Sequence, residues 1–223
     1  METYFNDLTI PDNITHVKID VGLGMYNINS TNWLCNEPNL FVFMFDPNND
    51  SISSSVSSMK NRFNIPDDRY KVFPIALSNV DEPKNMDFYS MELDGGTSSL
   101  YKPIDQNLGH VKQMSCVSVF SLKHFFDLFP WERFEYIEYI KIDAQGADLD
   151  IIKSAGSYLK DRVVYITAEP EDLQYENCSS NTAYNMEQYL ITQDFIKILH
   201  PNTRDPTFLN KKFSHLKPYI YQV

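Results

Sequence analysis

The apolar positions along the chain change period several times, and each change marks an element. In "HVKIDVG" (16–22), Val17, Ile19 and Val21 alternate with polar residues and predict a strand. In "NLFVFMFD" the alternation disappears. Leu40 to Phe45 is a continuous apolar run, as expected of a strand covered on both faces. Residues 26–36 between them suit a short helix. Ile52, Val56, Met59 and Phe63, spaced by three and four, predict a second helix over the serine-rich segment 49–63. "YKVFPIAL" (70–77) predicts a third strand.

The next stretch, 79–121, is less regular. "NMDFYSMEL" and "MSCVSVFSL" have strand character and are separated by "DGGTSSLYKP", whose Gly95–Gly96 pair predicts a turn. Residues 122–135 suit a helix. "YIEYIKID" is the next predicted strand. "ADLDIIKSAGSYLK" is the helix after it, with Ile151, Ile152, Ala155 and Leu159 on one face. "RVVYITAEP" follows as a strand, "AYNMEQYLITQ" as a helix, and "DFIKILH" and "PYIYQV" as closing strands. The alternation predicts an α/β fold with a Rossmann-like, doubly wound and mostly parallel sheet, helices on both faces, and antiparallel last strands. No repeat or linker divides the chain, so residues 1–223 are expected to form one domain.

Composition narrows the function classes. With 43% hydrophobic and 14% aromatic residues the chain is no disordered segment. It has no apolar run of the ~18 residues that a membrane span needs. The N-terminal "METYFNDLTIPDN" has neither a basic start nor an apolar core, so a secretory signal is not expected. Three scattered cysteines, Cys35, Cys116 and Cys178, suggest a reducing compartment, and a cytoplasmic location is expected by default. They form no metal-binding pair. The net charge of −11 repels phosphate, which disfavours a nucleic-acid partner; a neutral small molecule or glycan does not conflict with it. Oligomeric state is not legible.

In a sheet of this kind ligands bind beyond the carboxyl ends of the strands. The polar residues there are Asp20, Asp46, Ser78, Asp143 and Glu169. Gly22 and Gly24 allow a tight turn that brings N–H groups close to a ligand, although an ordinary strand–helix turn uses glycine in the same way. Asp46, ending the second strand, is placed to accept both hydroxyls of a ribose; a helix cap before Pro47 is the alternative. A dinucleotide fingerprint would need a third glycine where Asn27 stands, so that pattern fails. A carboxylate at Asp20 suits a cation better than a pyrophosphate. S-adenosylmethionine carries an ammonium, a sulfonium and a ribose, and Asp20, the glycine turn and Asp46 match them in order.

The segments "IDVGLGMYNIN", "VFMFDPNND", "FPIALSNVDE", "GGTSSL" and "IKIDAQGADLDIIKSA" occur in one order over about residues 15 to 170. As a set they resemble the FkbM-type S-adenosylmethionine-dependent methyltransferases. The resemblance implies that Asp20, Gly22, Leu23 and Gly24 embrace the methionine part of the cofactor and that Asp46 holds its ribose. Asn48 and Ser78 would lie near the adenosine, and Asp143 near the methionine end or the acceptor. Ser98 and Ser99 would face cofactor or substrate; a solvated turn beside the glycine pair is the alternative. Three positions depart from the family pattern, the first being Gly24, which stands where the family has asparagine. Tyr26 replaces its third glycine, where it would narrow the cofactor cleft or lay a ring on the ligand. Gln145 replaces a glutamate beside the acceptor side, which removes one charge.

Methyl transfer to oxygen requires a positioned acceptor and, for an alcohol, loss of its proton. Asp143 is the first candidate for orienting or deprotonating it, with a cofactor contact or helix cap as the alternative. His110, after the Gly-Gly loop, is the second candidate, and His215 lies in a comparable polar stretch. His16, His124 and His200 suit structural positions. Asp143 and Glu169 would suit Mg²⁺ or Ca²⁺, but two carboxylates are too few and no metal is expected. The resemblance implies O-methylation, often of sugar hydroxyls. Two other readings remain: a cofactor-binding scaffold that has lost turnover, motivated by Tyr26 and Gln145, and a nicotinamide oxidoreductase, disfavoured by the failed fingerprint.

Overall fold

The computed structural model of the chain describes residues 1–6, 8–25, 27–92, 95–199 and 205–216. A short helix α1 (Glu2–Phe5) precedes β1 (His16–Val21), α2 (Ile28–Asn36), β2 (Leu40–Phe45) and α3 (Asn49–Asn61). Then come β3 (Tyr70–Phe73), β4 (Ala76–Leu77), β5 (Lys84–Met91), β6 (Val111–Phe120) and α4 (Leu122–Phe126). The second half holds β7 (Ile137–Ile142), α5 (Asp148–Lys153), α6 (Tyr158–Arg162), β8 (Val163–Ala168), α7 (Ala183–Thr192), β9 (Phe195–Ile198) and β10 (Thr207–Asn210).

Seven strands form the main sheet in the order β3-β2-β1-β7-β8-β10-β9. The pairs from β3 to β8 are parallel, and β10 runs antiparallel to both β8 and β9. The mostly parallel sheet with antiparallel closing strands is thus present. Reversal of order on either side of β1 places the switch point between β1 and β7, where ligands of such sheets bind.

The apolar run of β2 shows why the sheet is covered on both sides. Phe41, Phe43 and Phe45 enter the larger core, while Leu40, Val42 and Met44 enter a second one with Leu34 and Met59. Phe45 stacks on Phe73 at 4.8 Å, and Phe125 of α4 meets Phe45 edge-on at 5.2 Å. Each such buried ring contributes roughly 1.5–3 kcal/mol. β1 divides differently: Val17, Ile19 and Val21 join the larger core, leaving Lys18 and Asp20 on the opposite face.

Several elements are shorter than the sequence predicts. The strand expected over 70–77 breaks at Pro74, which has no N–H for a ladder. Its second half, β4, leaves the main sheet and joins the β5–β6 hairpin as a separate three-stranded sheet. The helix expected over 122–135 ends at Phe126, and turns follow to Pro130. The helix expected after β7 divides into α5 and α6 at Gly156, whose φ of 58° no continuing helix allows. The strand expected in "PYIYQV" lies outside the described residues. β10, in "TFLN", and α1 are elements that the pattern does not announce.

Candidate functional site

At the switch point the chain leaves β1 through Gly22, with φ of 80°. Gly22 N–H donates to Phe45 O at 2.9 Å, and Asp143 N–H donates to Val21 O at 2.9 Å. A Cβ on Gly22 would stand 1.8 Å from the Asp143 carbonyl oxygen, so the neighbouring backbone demands glycine here. Gly24, at φ 57°, has a different reason: the turn itself needs the left-handed conformation, and Gly96 Cα lies 3.9 Å from where a side chain would begin.

The turn is held from α3 and the end of β2. Asp46 Oδ2 accepts Leu23 N–H at 2.9 Å, and Oδ1 accepts Asn48 N–H at 2.7 Å. Ser54 donates to Met25 O at 2.9 Å and Ser55 to Gly24 O at 3.3 Å. The serines that weaken α3 as a helix former are its contacts to the glycine turn.

A cavity of about 300 Å³ opens above these residues. Gly22, Leu23, Gly24 and Asp46 form one wall. Ile75, Leu77, Phe88 and Leu100 form an apolar wall, contributed by the second sheet and its loop. Ser98, Lys141 and Asp143 complete the polar end.

Of the residues singled out in the sequence, Gly22, Leu23, Gly24, Asp46, Ser98 and Asp143 therefore meet at one cavity. Asp20 lies buried behind the turn, where Oδ2 accepts Ser30 N–H at 3.2 Å and Ser30 Oγ at 2.5 Å. Its Oδ1 is buried with no hydrogen-bond partner, as is Oδ1 of Asn27, a wall residue. Asn48 is the N-cap of α3, accepting Asp50 N–H at 3.0 Å, and lies outside the wall. Ser78 is buried, and its N–H is spent on Phe120 O. Ser99 is turned inward: its hydroxyl donates to Gln145 O at 2.6 Å and accepts Tyr101 N–H at 2.9 Å. Gln145 sits behind Asp143. His110 and His215 are exposed and away from the wall. His124 closes the capping box of α4, and His16 pairs with Glu37 at 3.0 Å. Tyr26 and His200 lie outside the described residues.

Lys141 is the wall residue that the sequence reading passed over. It lies on β7 two positions before Asp143, which directly follows the strand and keeps its face, and is the cross-strand partner of Asp20. Its Nζ lies 2.5 Å from Asp143 Oδ2. Alternation within "KID" was the available signal.

Burial and these neighbours set the charges. Burial pushes Asp20 and Asp46 up to about 6. Burial would also raise Asp143, but Lys141, with hydrogen bonds from Glu169 and Gln145, holds it below the ordinary carboxylate range. Burial, with Asp143 beside it, pushes Glu169 up to about 9 and Asp148 to about 8. Lys141 loses affinity for its proton through burial and more than regains it from Asp143 and Asp20. At the other end of β1, His16, Glu37 and Glu138 come within ligand distance of one another, but Lys18 Nζ lies 2.6 Å from Glu37 and already neutralises it.

The sheet order, the glycine turn after the first strand and the carboxylate ending the second define a class I methyltransferase architecture. A family model described as "Methyltransferase FkbM domain" matches residues 24–197, and the chain belongs to that family. Membership indicates S-adenosylmethionine as the cofactor. The chain is also similar to the METTL16 MTase domain, at 10% identity, with 93% of this chain and 64% of that one covered and a TM-score of 0.45. For the human methyltransferase 10 domain containing protein the values are 11%, 93%, 76% and 0.43. For the N-terminal domain of human METTL16, in complex with SAH, they are 12%, 93%, 65% and 0.42. The chain thus spans less than two thirds of these two METTL16 chains. Comparison with curated proteins finds no match. Among the described residues no helix is long and apolar enough to cross a membrane.

Proposed function

We propose that the protein is an O-methyltransferase acting on a neutral hydroxylated acceptor, a sugar or similar small molecule. The residues present fit S-adenosylmethionine. Asp46 and the Leu23–Gly24 backbone would hold the ribose and the chain leading to sulfur. The unpartnered Oδ1 of the wall residue Asn27 suits the donor-rich ammonium, with the orphaned Oδ1 of Asp20 buried behind the turn. The bound cofactor supplies an electrophilic methyl carbon whose C–S bond breaks as the acceptor oxygen bonds to it.

The observation that carries the acceptor assignment is Asp143, whose carboxylate meets the cavity with its side chain 32% exposed while Lys141 and Gln145 fix it from behind. An ionised carboxylate there accepts a hydrogen bond from a hydroxyl and orients the oxygen lone pair. Held below its usual range, it is a weak base. Its part is orientation, with the proton leaving late to water. A polyanionic acceptor would meet the ionised Asp143 at the cavity wall, a repulsion that the net charge of −11 compounds.

Methyl transfer from labelled S-adenosylmethionine to a panel of free sugars and hydroxylated small molecules tests this reading. Asp143→Asn should lower turnover on the order of 100-fold with S-adenosylhomocysteine affinity retained. Turnover on nucleic acid but on none of the panel would refute it.

A further inference from the structure

Gln145 stands where a family member is expected to carry glutamate, and its surroundings give the amide a specific task. Its backbone lies in the left-handed region at φ 51°, which a residue with a Cβ rarely adopts, and its side chain is buried. That conformation turns the amide beneath Asp143. Nε2 donates to Asp143 Oδ1 at 2.8 Å and to Glu169 Oε2 at 3.3 Å, while Oε1 accepts the Tyr175 hydroxyl at 2.9 Å. The ionised Asp143 oxygen needs a donor, which sets Nε2 toward it and Oε1 toward Tyr175, whose single hydroxyl proton is shared between Oε1 and Thr97 O. The Gln145 carbonyl accepts Ser99 Oγ, and Tyr175 also reaches Thr97 O at 2.7 Å. The loop over the cavity and the segment after β8 are both tied to this residue.

The two carboxyls that it bridges also hydrogen-bond each other. Facing them are Lys141 from β7, Asp20 from β1, Asp148 from α5, Glu171 and Tyr175 from the segment after β8, and Asp205 from the segment before β10. Carboxyls this close do not both ionise. Lys141 stands against Asp143, so the shared proton stays with Glu169. A glutamate at 145 would add a third acid and remove the donor.

Resting on the acceptor-facing reading of Asp143, we propose that Gln145 is a positioning residue whose amide clamps Asp143 and Glu169 into a pair holding one proton, fixing the ionised Asp143 carboxylate at the cavity wall. A neutral amide here is then a working part of the site and no sign of lost turnover.

The test uses the full chain saturated with S-adenosylhomocysteine. Nuclear magnetic resonance follows the Gln145 side-chain amide and the Asp143 and Glu169 carboxyl carbons from acid to alkaline pH. All three should move through common inflections, since interacting groups titrate as a unit, and in Asp143→Asn the amide should follow only the single inflection of Glu169 that remains. Gln145→Glu should raise the proton affinity of Asp143 at least ~10-fold through the added like charge. An amide signal that stays flat while the carboxyls titrate overturns the clamp, and so does an Asp143 inflection unmoved in Gln145→Glu. If Gln145→Glu no longer binds S-adenosylhomocysteine, the wild-type amide signal decides alone. Unimpaired methyl transfer by Asp143→Asn, with the amide still tracking in the wild type, would remove the acceptor role and leave the clamp standing.

Discussion

Replacing Asp46 by alanine separates the two tasks that its position suggests. In the protein its carboxylate accepts Leu23 N–H at 2.9 Å and Asn48 N–H at 2.7 Å, with a further backbone bond from Gly24. Without it these N–H groups lose a buried acceptor, at about 1–3 kcal/mol each. Removal of a buried charge offsets part of that, so a net stability loss of about 2–3 kcal/mol is expected. If the carboxylate also holds the ribose, S-adenosylhomocysteine affinity should fall by ~1–3 kcal/mol, or roughly 5- to 150-fold. A loosened turn would weaken binding too, so a cycle is needed: calorimetry of wild type and Asp46→Ala with S-adenosylhomocysteine and with an analogue lacking both ribose hydroxyls. A direct contact gives a coupling of about 1–3 kcal/mol. Zero coupling in a folded variant would refute the ribose assignment and leave Asp46 as the clamp of the glycine turn. The pH dependence offers a second reading. The folded-state pKa, about 6, exceeds the ordinary value of 3.8, so the proton binds the folded form more tightly. The resulting stability is fully present below about 4 and lost as pH rises through about 6. Binding, which needs the ionised form, should strengthen over the same window, and Asp46→Ala should lack both trends.

Gly22→Ala should prevent folding or lower the melting temperature steeply, because its Cβ would stand 1.8 Å from the Asp143 carbonyl oxygen; a wild-type melting curve would show that β1 and β7 do not approach as described. Asp148 is fully buried and pushed up to about 8, so its contribution is present below about 4 and lost as pH rises through 8. Asp148→Asn should therefore be more stable than wild type in urea unfolding at pH 9, relative to their difference at pH 6; equal differences at both would contradict the burial of an ionising group.

What was legible in the sequence follows from how local each cause is. The β2 run declares two-sided burial because six consecutive apolar side chains must alternate between two cores. Pro74 and Gly156 carry their own reasons for breaking a strand and a helix, and the longer apolar pattern obscured them. The exchange of β4 into a second sheet has no local signal, since it depends on pairing with β6 far along the chain. The same distinction divides the site. Gly22, Gly24 and Asp46 act through one turn and were readable. Ser99 and Gln145 are distant in sequence, and only the fold lets one hold the other's carbonyl.

The placement of Lys141 links these observations to the chemistry. It shares a face with Asp20 across one strand and with Asp143 just past the end of its own. Nζ lies closest to Asp143, so that carboxylate ionises readily, whereas Asp20 feels the same cation but remains elevated by burial. One buried lysine thus gives the proposed acceptor side an oxygen that is charged at any working pH. The proposed cofactor side keeps carboxylates that ionise near 6 and would gain most from a ligand with cationic or hydroxyl donors. Lys141→Met would erase this asymmetry: Asp143, left with burial and its acidic neighbours, should titrate upward toward Glu169. A carboxyl signal for Asp143 that does not move in that variant would show that Gln145 alone, and not the ion pair, keeps it charged.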